Sequence, residues 1–296
     1  MAPDGKSVIT SVGSTDSSAW IHDKNGDSSI SSEGDSQAPQ YSSDGRTLYF
    51  QMSSGGSQNF ELWKRDLATG TQEVVLPGYA MNKGFSVSRH SRHVAFSVQD
   101  KSGLSSLWVA PTDRHASPVK LTTSGNEDSP FFLPDDDLIF RSVEPGGNFV
   151  YRMKPDGSTR SKVSTAPVLD LISVSQDGRW VIVAAASNVE DISVETEALP
   201  IAGGPPVTLC AGYCLGSWSV NGKFFYLFFD LLSPHAYVLP VSPTGLPKVP
   251  SQGISKLEDI KPLNTISEHV SSGLDASNYT YVRQNTRRNL YRIPLP

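Results

Sequence analysis

A short pattern recurs seven times along this chain of 296 residues: a polar turn, a run of alternating apolar residues, and a second strand-like run. The copies of the turn and first run are residues 3–9, 43–50, 91–96, 135–140, 176–182, 220–226 and 276–282. Successive copies are spaced by about 40–50 residues, and the interval widens before the last one. A repeat of this length with short strands is typical of a β-propeller. The pattern therefore predicts an all-β fold of four-stranded antiparallel blades.

The second copy shows how one blade is predicted. Asp44 and Gly45 suit a hairpin turn, because glycine adopts the positive φ that such a turn requires. In residues 48–52 large apolar side chains stand at every second position, which is strand patterning. Residues 60–66 are a third strand, and residues 72–76, rich in β-branched side chains, are a fourth. A short extended run before the turn completes the blade.

The first and last copies are incomplete in complementary ways. The first lacks a leading strand before Pro3, and the last ends after its third strand, residues 289–293. A propeller closes when one end of the chain completes the blade of the other, which removes an open sheet edge. We therefore expect residues 289–293 to pair with the N-terminal segment, within one propeller domain of residues 1–296. Seven blades are favoured, and six blades with the terminal pieces sharing one are the alternative.

Charge and apolar content limit the partners of the chain. The formal net charge is −5, and basic and acidic residues are mixed along the sequence, so no nucleic-acid surface is expected. The longest apolar run, residues 224–232, contains Asp230 and is too short to span a membrane. No signal-peptide pattern precedes the first copy. The abrupt start suggests a piece of a longer polypeptide, whose anchoring segments would lie outside it.

Three turns carry a family resemblance. Residues 2–6, 41–46 and 174–178 are similar to the S-P-D-G-(K/R) motif of WD40-like (PD40) repeats, which build TolB-like propellers and the propellers of tricorn-like and prolyl-oligopeptidase-like peptidases. Residues 289–294 resemble the last blade of propellers C-terminal to bacterial serine/threonine protein kinases. The third and fourth copies depart from the motif. The resemblance implies a sensor or interaction domain of a bacterial signalling protein, on the extracytoplasmic side of the membrane, with the cytoplasm as the alternative.

The sequence offers no motif for chemistry. It lacks the glycine-rich loop, H-R-D and D-F-G of kinases and the G-x-S-x-G turn of many hydrolases. The three carboxylates of residues 135–137 cannot all converge on a metal ion, because neighbours on a strand point to opposite faces. We therefore expect no catalytic residue, no metal and no cofactor. The alternative functions are an accessory domain of a tricorn-like or prolyl-oligopeptidase-like peptidase, or a TolB-like periplasmic protein.

Cys210 and Cys214 are the only cysteines and stand four residues apart. In an oxidising compartment they could form a small loop disulfide, and in the cytosol they would be free thiols. Four thiolate or imidazole ligands are typical of structural zinc, so this pair alone does not predict a metal site.

The candidate binding residues lie in the connections from the fourth strand of one blade to the first strand of the next. In propellers these connections surround one mouth of the central channel, and polar groups at a concave mouth on a rigid scaffold favour binding of a protein or small-molecule ligand. The candidates are Asp35, Gln37, Tyr79, Asn82, Lys83, Asn126, Glu127, Asp128, Asp170, Tyr213, Glu268 and His269. The alternative is that they only solvate the rim and hold ordered water.

Overall fold

The fold is a ring of six four-stranded antiparallel sheets. The structure, a computed structural model, describes residues 7–31, 34–53, 60–81, 84–123, 125–188, 193–229 and 235–294. Within these ranges the only helical segment is a 3₁₀ turn, Leu257–Asp259. The inner strands of all six sheets border one central cavity, so the sheets are the blades of a propeller.

Each blade is described from its inner strand outwards. Blade 6 consists of β23 (Val270–Gly273), β24 (Tyr279–Pro294), β1 (Ser7–Asp23) and β2 (Gly26–Ser29). Blade 1 consists of β3 (Asp35–Tyr41), β4 (Thr47–Ser53), β5 (Glu61–Asp66) and β6 (Gln72–Leu76). Blade 2 consists of β7 (Phe85–Val87), β8 (His93–Gln99), β9 (Ser105–Pro111) and β10 (Val119–Lys120).

The other three blades are continuous in the chain. Blade 3 consists of β11 (Glu127–Phe132), β12 (Leu138–Glu144), β13 (Gly147–Met153) and β14 (Ser161–Lys162). Blade 4 consists of β15 (Asp170–Val174), β16 (Trp180–Asn188), β17 (Ser193–Pro200) and β18 (Val207–Cys210). Blade 5 consists of β19 (Leu215–Trp218), β20 (Phe224–Phe228), β21 (Ala236–Pro240) and β22 (Asn264–Ile266).

The ring has six blades, so the preference for seven is wrong and the alternative is what the structure shows. The reason is the pairing of the chain ends. β1 pairs with β24 from Ser7 opposite Pro294 to His22 opposite Tyr279, so the first and seventh copies form one shared blade. Residues 289–293 pair with the N-terminal strand as expected, but they belong to β24, the second strand of blade 6, and not to a third strand.

The recurring turn is a hydrogen-bonded motif that joins the first strand of a blade to the second. In blade 1 the Ser42 hydroxyl donates to Asp44 Oδ1 at 2.6 Å, and the same oxygen accepts the Arg46 N–H at 3.0 Å. Gly45 follows with φ of 69°, a value that an L residue rarely adopts. Equivalent bonds form around Asp177 and Asn221. The repeat in the sequence is therefore a structural turn.

The hydrophobic core is divided into layers between neighbouring blades. One cluster joins Tyr49 and Leu62 of blade 1 to Phe85 and Phe96 of blade 2, all of them buried. Another joins Ile182 of blade 4 to blade 5. Each blade is thus stabilised mainly by the apolar area it buries against its two neighbours.

Candidate functional site

The central channel of the propeller contains a cavity with a volume of about 980 Å³. Its wall is formed by the second halves of the inner strands and by the turns that follow them. We call this end of the channel the turn-side mouth. The opposite end, where the fourth strand of one blade connects to the first of the next, is the connection-side mouth.

Short polar side chains on the inner strands hold neighbouring blades together along the wall. The Ser86 hydroxyl accepts the Phe132 N–H at 2.9 Å, which links blade 2 to blade 3. The Ser173 hydroxyl donates to Gly216 O at 2.5 Å, which links blade 4 to blade 5. The Gln40 amide donates to Phe85 O at 3.3 Å, which links blade 1 to blade 2. These side chains stabilise the contacts between blades, and they make the channel wall polar and fixed in shape.

The turn-side mouth carries charged, imidazole and amide groups from four blades, namely blades 1, 2, 4 and 5. They are Asp44, Arg89, His90, Gln176, Asp177 and Asn221. The hydrogen bond from Ser42 lowers the pKa of Asp44. Burial alone would raise the pKa of Asp177, but hydrogen bonds from Ser175 and Arg179 outweigh it and lower that pKa. Both carboxylates are therefore ionised at neutral pH.

A loop of residues 241–247 narrows the turn-side mouth at blades 4 and 5. The indole N–H of Trp180 donates to Thr244 O at 2.8 Å, and that of Trp218 donates to Gly245 O at 2.9 Å. Val241 and Gly245 line the cavity. Sequence reasoning missed this loop, although the widened interval before the seventh copy was the signal that could have found it.

None of the described members of the twelve predicted residues lines the cavity, because they precede the inner strands or stand at their beginnings. Asn82 and Lys83 lie outside the described residues. Binding at the connection-side mouth stays a prediction.

Three of the predicted acids are held in ion pairs with arginines. Arg141 forms a bidentate pair with Asp128, with both nitrogen–oxygen distances at 2.8 Å, and both side chains are buried. The same guanidinium lies 3.3 Å from Asp170 of blade 4. Arg160 binds the buried Glu127 at 3.0 Å. Sequence reasoning missed these arginines, because Arg141 on β12 and Arg160 just before β14 stand 13 and 33 positions from Asp128 and Glu127.

The other described candidates are spread around the ring, each with its own neighbour. Asp35 accepts the Ser17 N–H, Gln37 donates to Gln51, Asn126 accepts the Ser105 N–H, and Tyr79 packs edge-on against Phe96 and Trp108. His269 stacks on Phe228, Glu268 lies 3.5 Å from Arg283, and burial raises the pKa of Tyr213. The structure brings together only the acids of blades 3 and 4.

Cys210 and Cys214 are joined by a disulfide at the end of β18, and both are buried. Ile254 pairs with the end of this strand through its backbone. The Ile254 N–H donates to Leu209 O at 2.8 Å, and the Ala211 N–H donates to Ile254 O at 2.9 Å. The connection between β21 and β22 thereby ties blade 5 to the outer edge of blade 4.

Two further properties concern the described residues as a whole. No group of three or more histidine, cysteine, aspartate or glutamate side chains among them is arranged to hold a metal ion. No helix among these residues has the length and apolar character needed to cross a membrane.

The geometry defines a six-bladed propeller, and solved structures of low sequence identity resemble the fold. A TolB-type protein from Agrobacterium tumefaciens aligns with a TM-score of 0.65 and 19% identity, over 92% of this chain and 99% of that one. TolB from Acinetobacter baumannii aligns with a TM-score of 0.59 and 16% identity, over 78% of this chain and 62% of that one. A chain of the nidogen/laminin complex aligns with a TM-score of 0.58 and 12% identity, over 90% of this chain and 98% of that one.

The chain therefore has the TolB-like β-propeller fold. Its sequence matches no protein-family model and no curated protein. The likeness to kinase-attached propellers stays a prediction.

Proposed function

We propose that this propeller is a non-catalytic binding domain that receives a protein segment or small polar ligand at the turn-side mouth. The observation that carries the proposal is the central cavity of about 980 Å³, which falls in the size range of ligand sites and is bordered by rigid strands. The contacts of its polar groups support binding over catalysis. The mouth carboxylates accept turn hydrogen bonds, and the wall serines bond to neighbouring blades.

The lining favours a ligand with both cationic or amide groups and apolar surface. Ionised Asp44 and Asp177 stand at the mouth, and Phe131, Ile172 and Trp218 add apolar surface to the otherwise polar channel wall. A peptide with a basic side chain next to an apolar one fits this combination. A chain of the same fold in the nidogen/laminin complex supports protein recognition by such a propeller.

The same proposal includes the protein to which this domain is attached and the compartment in which it lies. Residues 1–296 would be one propeller domain attached to a bacterial signalling protein such as a serine/threonine kinase, as the resemblance of residues 289–294 suggests. The Cys210–Cys214 disulfide supports an oxidising, extracytoplasmic compartment. A peptidase accessory domain is the second candidate, favoured by the tricorn protease, which aligns with a TM-score of 0.54 over 26% of that chain.

The test is to select peptides from a random display library on the whole chain and to measure their affinity for two variants. His90→Lys combined with Gln176→Lys adds positive charge at two exposed positions of the turn-side mouth, which opposes a basic ligand. Glu268→Lys is the matched control at the connection-side mouth. We expect the first variant to change the dissociation constant by about tenfold or more, equivalent to ~1.4 kcal/mol, and the control to leave it unchanged.

Two results would contradict the proposal. If only Glu268→Lys weakened the selected peptides, the site would lie at the connection-side mouth that the sequence predicts. If neither variant changed the dissociation constant, and the selected peptides cross-linked to the outer strands of the blades, the channel would not be the binding site.

A further inference from the structure

The strands that close the ring continue beyond it as a two-stranded ribbon. We call residues 7–16 of β1 and residues 285–294 of β24 the terminal ribbon; they pair in register along this whole length. Within the blade Ala19 and Tyr281 are fully buried, whereas side chains of the terminal ribbon are mostly exposed. The ribbon is thus not covered by the propeller body.

The terminal ribbon carries an unusual share of exposed apolar surface. Of the eleven large hydrophobic residues that are exposed in the described chain, five lie on it. They are Ile9, Val12, Leu290, Tyr291 and Ile293, with exposures from 49% to 77%. Concentrated exposed apolar residues usually mark an interaction surface.

The two edges of the ribbon differ in charge. The β24 edge carries Arg287, Arg288 and Arg292, and charged side chains are a common protection of edge strands. The β1 edge, residues 7–15, has no charged residue and no proline, and Val8, Ile9, Thr10, Val12 and Thr15 are β-branched. Such a segment has the composition that pairs readily with another strand.

In the part of the chain that the structure describes, no strand pairs with the outer side of β1 over residues 8–16. Among the described residues, β2 joins β1 only from Trp20 to Asp23, and the Ser17 N–H is bound by Asp35. Residues 8–16 pair with β24 alone. An isolated two-stranded ribbon is marginally stable in water, and further strands are needed to stabilise it.

We propose that the β1 edge of the terminal ribbon pairs with the same edge of a second copy of this chain. Antiparallel pairing about a two-fold axis gives a four-stranded sheet in the order β24, β1, β1, β24. The uncharged edges meet at its centre, and the arginines stay on the outer strands. Pairing through β24 would instead bring arginines of the two copies together, which like-charge repulsion opposes. Two-fold homodimers are the commonest oligomers of soluble proteins.

The test places lysines on the β1 edge of the whole chain. Thr10 and Val12 lie on one face of the ribbon, because they are two residues apart on a strand. In a two-fold pairing centred on residue 10, 11 or 12, the variant Thr10→Lys/Val12→Lys sets lysines directly opposite each other, about 5 Å apart. The matched control, Asn289→Lys/Tyr291→Lys, changes their cross-strand neighbours on the same face of β24.

We expect the wild type to dimerise in sedimentation velocity across about 1–100 μM, as suits a small interface. The β1 variant should raise the dimer dissociation constant at least about tenfold, and the β24 control should leave it within about threefold. Mixing the lysine variant with Thr10→Glu/Val12→Glu should restore a heterodimer. A wild type that stays monomeric throughout, or a β24 variant that dissociates as strongly as the β1 variant, would overturn the proposal.

Discussion

A single guanidinium, that of Arg141, holds two carboxylates of neighbouring blades. It pairs with Asp128 in blade 3 and lies 3.3 Å from Asp170 in blade 4, and it donates to Leu169 O at 2.9 Å. Its side chain is 9% exposed and that of Asp128 is 4% exposed, so neither charge is well solvated. At this scale Asp128 and Asp170 share one arginine, which links blade 3 to blade 4.

Replacing Arg141 with methionine should destabilise the protein by about 3–5 kcal/mol, because it removes the bidentate cation that neutralises the buried Asp128 carboxylate. The matched control is Arg179→Met, which removes an exposed pair with Asp177 and should cost about 1 kcal/mol or less. Urea unfolding followed by circular dichroism measures both. Equal losses in the two variants would show that Arg141 is not a link between blades.

At the scale of elements, the blades could be predicted from sequence because their turns are local. Asp44 and Asp177 bond to residues two positions away, so each turn is encoded within five residues. The number of blades could not be predicted in this way. It depends on β1 pairing with β24, whose hydrogen-bonded residues Thr15 and Thr286 are separated by 271 positions.

The candidate site, like the fold, could be predicted only where its contacts are local in the sequence. The polar turns were visible in the sequence. The position of the loop of residues 241–247 at the turn-side mouth, and the contacts of Arg141 with blades 3 and 4, depend on contacts between distant segments. The described polar groups that the sequence analysis placed at a channel mouth do not line the cavity. The sequence could not show which groups were already used by the scaffold, because burial and pairing are set by tertiary packing.

Two truncations separate the ribbon from the closure of the ring. Deleting residues 285–296 removes the β24 half of the terminal ribbon, and we expect the melting temperature to fall by only about 5 °C or less. Deleting residues 279–296 also removes the buried Tyr281 and its pairing with Trp20, so the ring should open and the chain should aggregate. Differential scanning fluorimetry and light scattering distinguish the two. Loss of the folded state in both would mean that the ribbon itself closes the ring.

At the scale of the molecule, the propeller depends on its shared blade. Blade 6 takes two strands from each end of the chain, and its buried residues pack against both neighbours. The rigid channel, the turn-side mouth and the exposed terminal ribbon all follow from this closure. The number of blades also sets the width of the channel, and hence the size of the ligand that can enter it.

The most direct test of this account is a disulfide across the shared blade. Ser17 and Gln284 are directly opposite in the β1–β24 pair, where Cα atoms lie about 4.5–5.5 Å apart, within the range that a disulfide spans. The double variant Ser17→Cys/Gln284→Cys should form this bond within one chain, detected by mass spectrometry of the linked peptide. Ser17→Cys with Thr265→Cys, which lies in blade 5, should not form the corresponding bond. If the first pair failed to form, or formed only between two chains, the six-bladed closure would be contradicted.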